Sequence, residues 1–227
     1  PANTIPCSVG YTGGLLLASW DHRLEADSPA AALWNVWYYR HLNPALGQTL
    51  VGESQAPKGA LSTQSSLALL ATAQGQALAV SSLRAAWAET TQLLGDKPAN
   101  WRWGDLHQMV FSHPLLERAK PAMAKNMAIK AYPRGGSANT TNNTGFDPAN
   151  FRVRSGASFR RVVDVGNWDD ARMTNAPGQS GDPRSPFYDN LLENWATEGH
   201  VPMLFSREKV EASAVMHIKL EALGDQP

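Results

Sequence analysis

Apolar positions follow helical spacing in three stretches. After Asp27-Ser28-Pro29, a capping side chain followed by a first-turn proline, apolar residues fall at Ala30, Leu33, Trp34, Trp37 and Tyr38. This predicts a helix that Asn43-Pro44 stops. A second helical region spans 64–94, broken near Gly75, with Val80, Leu83, Trp87 and Leu94 near one face and Gly95 and Pro98 as the stop. Its only charges are Arg84 and Glu89, so little of it looks like a solvated face. A third helix is predicted from Ser185-Pro186, with Tyr188, Leu191, Leu192 and Trp195 at i, i+3, i+4 and i+7, ending at Gly199. Ser206 is placed to cap a short helix over 207–214.

Alternation marks the strands. From Leu106, one side carries His107, Met109, Phe111 and His113 and the other Gln108, Val110 and Ser112. Phe151–Val165 reads as two strands joined at Ser155-Gly156. In the second, Ser158, Arg160, Val162 and Asp164 share a face. Val215–Leu220 alternates Met216, Ile218 and Leu220 against Val215, His217 and Lys219, a terminal strand. Residues 1–19 read as a loop leading to a short buried segment, 47–60 as a polar loop, and 134–145 as a Gly/Asn/Thr loop.

Composition narrows the class. The 227 residues allow one large domain or two small ones. An apolar share of 43% permits a substantial core, while 18% charge is low for a fully solvated monomer and points to surface covered by another chain. Zero net charge gives no electrostatic reason to expect nucleic acid or an anionic membrane. No apolar run approaches 18 residues, so no transmembrane helix is expected. A lone cysteine, Cys7, excludes an intrachain disulfide framework. Residue 1 is proline, which reads as a processed end.

Candidate chemistry is sparse. Asp21-His22 is read as a turn in which Asp21 accepts from nearby amides. His107 and His113 are six residues apart, roughly 20 Å along an extended strand, too far to ligate one ion, and are taken as hydrogen-bonded structural residues. Gly178-Gln179-Ser180-Gly181-Asp182 departs at Gln179 from a serine-protease signature and lacks a nearby base. Arg160 and Asp164 have the spacing of a same-strand ion pair. The glycine-rich loop lacks the lysine and spacing of a P-loop. A non-catalytic reading makes Trp34, Trp37 and Trp103 the platform of a binding module for a glycan or peptide.

Four motifs in order resemble the penicillin acylase family of N-terminal-nucleophile (Ntn) hydrolases. They are Trp20-Asp21 with Asp27-Ser28 and Ala31; Trp101-Arg102-Trp103-Gly104 with His107, Phe111 and His113-Pro114; Gly156-Ala157-Ser158-Phe159-Arg160 with Asp164; and the run from Ala176 to Tyr188. The resemblance implies an α+β fold, the αββα sandwich, of which this chain supplies the C-terminal strands and helices. Residues 1–227 would be the C-terminal part of the large β subunit, with no independent second domain. The partners implied are the other chains of one precursor, the α subunit and the N-terminal part of the β subunit. By the same resemblance that part would carry a serine whose α-amine acts as base, with an asparagine and a backbone N–H holding the oxyanion. The implied substrates are small N-acyl molecules, such as acyl-homoserine lactones or penicillins. The implied location is periplasmic or secreted, after autoproteolytic maturation. No cofactor is implied for catalysis, and a structural Ca2+ elsewhere in the assembly is compatible with the family. No catalytic residue transfers to this chain; Ser158, Arg160 and Asp164 are the candidates for a supporting role behind the reacting groups.

Overall fold

The computed structural model describes residues 8–51 and 61–221, which form two compact units divided between Ala157 and Ser158. Pro1, Cys7 and the 52–60 part of the expected loop lie outside the described residues.

The first unit builds on a helical layer. α1 (Ser8–Ala18) lies where a loop was expected. The glycines at 13 and 14 do not break it, because Gly13 lets the helix approach the Trp87 ring: a Cβ there would stand 3.1 Å from it. α2 (Pro29–Val36) starts as its sequence predicts, with Ser28 Oγ accepting the Ala31 amide at 3.2 Å. Pro44 does not stop the helix. A π-helical turn (Trp37–Leu42) follows, in which the Asn43 amide donates to the Tyr38 carbonyl, and α3 (Asn43–Val51) runs on. The extra residue in that turn carries the proline ring, which has no N–H, past the carbonyl it would otherwise strike.

α4 (Thr63–Leu70) and α5 (Ala73–Leu94) break at Ala71-Thr72, slightly before Gly75. Thr72 caps α5 by accepting the Gly75 amide at 3.1 Å. Gly75 sits in the crook of the bend, where a Cβ would fall 2.0 Å from the Leu69 carbonyl oxygen. Gly95, with φ 91°, closes α5. No single helix among the described residues is long and apolar enough to cross a membrane; α4 and α5 meet both conditions only together, as a pair bent by 98°.

Ala31, Ala32, Leu33 and Val36 of α2 meet Leu83 and Ala86 of α5, and Trp101, Trp103 and Phe151 complete the core. Alanines at the contact let the backbones approach closely, and the three aromatics fill the space that remains. Val80 was expected on this face but is half exposed; Leu83, Trp87 and Leu94 carry the contact.

Beside the helices lies a small mixed sheet in the order β2-β1-β4-β3. Its strands are β1 (Gln108–Met109), β2 (Tyr132–Pro133), β3 (Thr144–Phe146) and β4 (Val153–Gly156). The strand expected from Leu106 is thus only two residues long. Trp103–Leu106 forms a short helix, α6, and Phe111 and His113 lie beyond the strand. Another short helix, α7 (Pro121–Met127), lies between β1 and β2.

The second unit has an antiparallel sheet in the order β5-β6-β7, made of Arg160–Val162, Arg172–Thr174 and Val201–Pro202. Two helices accompany it, α8 (Leu192–Ala196) and α9 (Arg207–Ser213). Its buried residues are few: Ala171, Thr174, Tyr188, Leu192, Trp195 and Ala196.

Two expectations fail in this unit. Residues 185–191 form turns instead of the first half of a helix. The Phe187 carbonyl, which a helix would offer to Leu191, accepts the amides of Gln179 and Ser180 at 2.9 and 3.0 Å, and the Leu191 amide turns to the Pro177 carbonyl. Residues 215–220 are exposed and unpaired with any strand among the described residues.

Candidate functional site

The stretch from Ser155 to Tyr188 holds the candidate residues. β5 covers only Arg160–Val162, so Ser158 precedes the strand and Asp164 follows it. The shared face expected of Ser158, Arg160, Val162 and Asp164 reduces to Arg160 and Val162. Ser158 and Asp164 are both exposed.

Arg160 is the packed member. Its guanidinium carbon stands 5.2 Å from the centre of the Trp195 ring, and its Nη2 donates to the Trp195 carbonyl. Burial pushes the guanidinium below its ordinary pKa, against the opposing pull of Glu198. Trp195 is itself 1% exposed, so the cation lies on a fixed ring face.

The Arg160–Asp164 ion pair does not form. Asp164 Oδ1 instead accepts the amides of Gly166 and Asn167 at 2.8 and 3.3 Å, folding its own loop. A carboxylate followed closely by free amides satisfies them locally before it reaches a cation four residues back.

The Gly178–Asp182 turn is structural. Ser180 Oγ accepts the Asp182 amide at 3.1 Å. Asp182 chelates the Arg184 guanidinium, which holds its carboxyl near pKa 2. A Cβ on Gly178 would stand 2.3 Å from the Phe187 carbonyl oxygen, the acceptor that organises the turn. The Ala176-Pro177 peptide that leads into it is cis.

In the first unit, His107 is fully buried. Its Nδ1 and Nε2 face the carbonyls of Arg134 and Thr144 at 2.7 and 3.1 Å, and its ring stacks on Trp103 at 4.5 Å. Burial pushes its pKa below the ordinary histidine value, and the nearby Arg134 charge adds to this, against the two carbonyls. His113 accepts the Leu115 amide at Nδ1. Both histidines are therefore hydrogen-bonded structural residues, as their spacing predicts. Asp21 Oδ1 accepts the Arg23 amide at 3.0 Å, the expected turn.

The glycine-rich loop turns its amides inward. Those of Gly136, Ser137, Asn139 and Thr140 find the Leu24 carbonyl, Thr140 Oγ1, Ser137 Oγ and the Ser137 carbonyl, leaving no cradle for an anion there. Among the described residues no group of three or more histidine, cysteine, aspartate or glutamate side chains is placed to hold a metal ion.

Two features escape the sequence. Arg40 and His41 of the π-helical turn both reach Glu89 of α5, at 2.9 and 2.6 Å. Glu89 is one of only two charges in 61–94, and that isolation on an apolar helix is the one signal that could have marked it. The other is a half-open cavity of about 370 Å3 lined by Leu17, Trp20, His22, Leu24, Trp34 and Trp37. The expected platform of Trp34, Trp37 and Trp103 does not form, because Trp103 is fully buried with its indole N–H on the Gly136 carbonyl. Trp20 takes its place beside Trp34.

Known proteins place these motifs. The sequence model of the family described as penicillin amidase matches residues 13–212. The penicillin acylase 2 proenzyme of Pseudomonas sp. (strain SE83) is 31% identical over 211 residues, covering 88% of this chain and 27% of the relative. The acyl-homoserine lactone acylase QuiP of Pseudomonas syringae pv. syringae (strain B728a) is 34% identical over 122 residues, covering 52% of this chain and 14% of the relative. The chain thus spans about a quarter or less of the length of these relatives. Among solved structures, a thermostable penicillin G acylase from Alcaligenes faecalis aligns over 99% of this chain and 44% of its own, with a TM-score of 0.52 and 18% identity, a likeness of fold. With a family match running from α1 to α9, this chain belongs to the penicillin amidase family.

Proposed function

We propose that this chain is the C-terminal part of the β subunit of an Ntn amidohydrolase. The assembled enzyme cleaves the side-chain amide of N-acyl substrates, acyl-homoserine lactones or penicillins. The observation that carries this reading is the family match over residues 13–212, joined by relatives named for those two substrate classes. The assembly is an αββα sandwich matured by self-cleavage from a zymogen and sited in the periplasm or outside the cell. Its consequence would be quorum quenching or penicillin inactivation.

The chemistry needs no cofactor. A serine hydroxyl on another segment of the precursor attacks the amide carbon, and its own α-amine takes the proton. That amine suits the task because its ordinary pKa is about 8. An asparagine side chain and a backbone N–H hold the oxyanion, the amine leaves with the proton, and water then releases the acid from the ester.

In that setting Ser158, Arg160 and Asp164 are positioning residues. What supports this most is Arg160, fixed on the Trp195 ring and carbonyl. Arg160→Lys keeps the charge and loses the planar fork, so the assembled enzyme should fold normally with kcat lowered about tenfold and KM little changed. Asp164→Asn with unchanged folding and turnover would remove Asp164 from this group.

The test is direct. The assembled protein is incubated with an acyl-homoserine lactone and with a penicillin, and free acid is measured by mass spectrometry. Acid from at least one is expected, and none from the 227-residue chain alone. An assembled protein that releases acid from neither overturns the reading.

A further inference from the structure

We propose that the half-open recess of the first unit binds a neutral aromatic molecule of one or two fused rings, held among three indoles and by one hydrogen bond to His22. The site goes beyond the amidase reading and stands without it.

The walls set the class of guest. The recess measures about 370 Å3, within the range of small-molecule sites, and Leu17, Trp20, His22, Leu24, Trp34 and Trp37 line it. No lysine, arginine, aspartate or glutamate is among them, so an ion entering would shed its hydration with no counter-charge to meet it. Nor do the indoles make the closed cage that suits a cation, because one face of Trp34 already carries Tyr38, stacked at 5.5 Å. Sugars and peptides fail for another reason. Each brings several hydrogen-bonding groups, whereas the Trp20 and Trp37 indole N–H groups are already spent on the Arg23 carbonyl at 2.9 Å and Ser82 Oγ at 2.8 Å. An aromatic guest extends contacts that the walls already make: Trp20 and Trp34 are tilted with centres 6.0 Å apart, and Trp34 and Trp37 meet edge to face at 5.6 Å. The bonds to Arg23 and Ser82 also fix the rings, so binding has little ordering left to do.

His22 supplies the polar contact. Its backbone has φ 62°, a left-handed conformation uncommon for a residue with a side chain. Two bonds bracket it there: Asp21 Oδ1 accepts the Arg23 amide at 3.0 Å, and the Trp20 indole closes on the Arg23 carbonyl. His22 is exposed, its ring 5.4 Å from that of Trp20, and among the described residues its nitrogens have no hydrogen-bond partner. A turn built for geometry alone takes glycine at such a φ. Strain held at a recess, with polar atoms left free there, marks a ligand contact. A neutral imidazole offers one donor and one acceptor, so it meets an N–H, an O–H or a carbonyl of the guest.

The experiment uses the protein produced from its full-length precursor, matured and purified, with indole as the probe and titration calorimetry as the readout. Indole should bind with a dissociation constant below about 1 mM. Benzothiophene has the same shape without the N–H and should bind about fivefold more weakly, the loss of one hydrogen bond. Cyclohexanol, indole-3-carboxylate and tetramethylammonium should each bind at least about tenfold more weakly than indole. His22→Gly suits the left-handed turn and should weaken indole about fivefold while leaving benzothiophene unchanged. Leu17→Trp should fill the recess and weaken both at least about tenfold.

No saturable binding of indole below about 1 mM overturns the proposal, including the case in which another segment of the precursor fills the recess. So does a charged or non-aromatic probe that binds as tightly as indole, His22→Gly that binds indole like wild type, or a folded Leu17→Trp that does. Should Leu17→Trp fail to fold, the indole and benzothiophene affinities of His22→Gly decide. Acid release by the same preparation reports separately on the amidase reading.

Discussion

His107 shows how a single side chain can be read correctly in role and not in reason. Its spacing from His113 excludes a shared metal, leaving a structural histidine. That its two nitrogens face the carbonyls of Arg134 and Thr144, 27 and 37 residues away, is a tertiary fact that no local pattern carries. The lowered pKa has a consequence for stability. The unfolded chain binds a proton near pH 6.5, and the folded chain does so only at lower pH, so folding is fully supported above 6.5 and loses support as pH falls below it. Thermal melting between pH 7 and pH 5 should therefore fall more steeply in wild type than in His107→Gln; equal slopes would show that His107 does not titrate in this window. Asp164 is the contrary case. Its spacing to Arg160 is right for a pair, but Gly166 and Asn167 amides stand nearer along the chain and capture it. Sequence distance alone ranks neither competitor, and so the contact that Asp164 makes was not legible in the sequence.

At the scale of elements, helix boundaries were legible where local chemistry sets them, as at Ser28 and Gly95, and not where tertiary bonds do. Ser28-Pro29 fixes the start of α2 by local chemistry alone. Pro44 should have ended that helix, and the π-helical turn that lets it pass depends on tertiary support from α5, where Glu89 receives both Arg40 and His41. Glu89→Gln keeps the shape and removes the charge that both partners use. A loss of about 2 kcal/mol is expected from denaturant unfolding, the range for hydrogen bonds to a largely buried charged group. The bend between α4 and α5 gives the opposite lesson. The break falls near Gly75, as the sequence predicts, but it is Thr72 that caps α5, and Gly75 makes room for the bend. Gly to Ala inside a helix ordinarily stabilises by about 1 kcal/mol. Here the added Cβ would lie 2.0 Å from the Leu69 carbonyl oxygen, so Gly75→Ala should destabilise by about 2 kcal/mol in the same assay. A stabilised variant would mean that the bend relaxes without cost. The helix expected over 186–191 failed for a related reason: its carbonyl at Phe187 was already committed to Gln179 and Ser180.

At the scale of the whole molecule, the low charge of the sequence and the apolar surface of the second unit agree. Phe159, Val162, Val165, Trp168, Phe187 and Phe205 are all about half exposed or more, in a unit whose buried set is short. Scattered apolar side chains are ordinary on a monomer, but these are many for a 70-residue unit, Ser158–Pro227. The relatives that the chain matches are longer proteins, of which it spans a fraction, and on the function proposed above the rest of the precursor would cover this surface. The expected outcome is a solubility difference. Produced alone, the chain should be recovered mainly as aggregate, and co-production with the remainder of its precursor should raise the soluble yield at least about tenfold. Size-exclusion chromatography of both preparations measures this. A monodisperse, soluble monomer from the chain alone would instead favour a self-standing module, with the Trp20–Trp34–Trp37 cavity of the first unit as its most developed recess. The two outcomes separate because the cavity lies in the first unit and the exposed apolar set in the second, so binding at one does not require burial of the other.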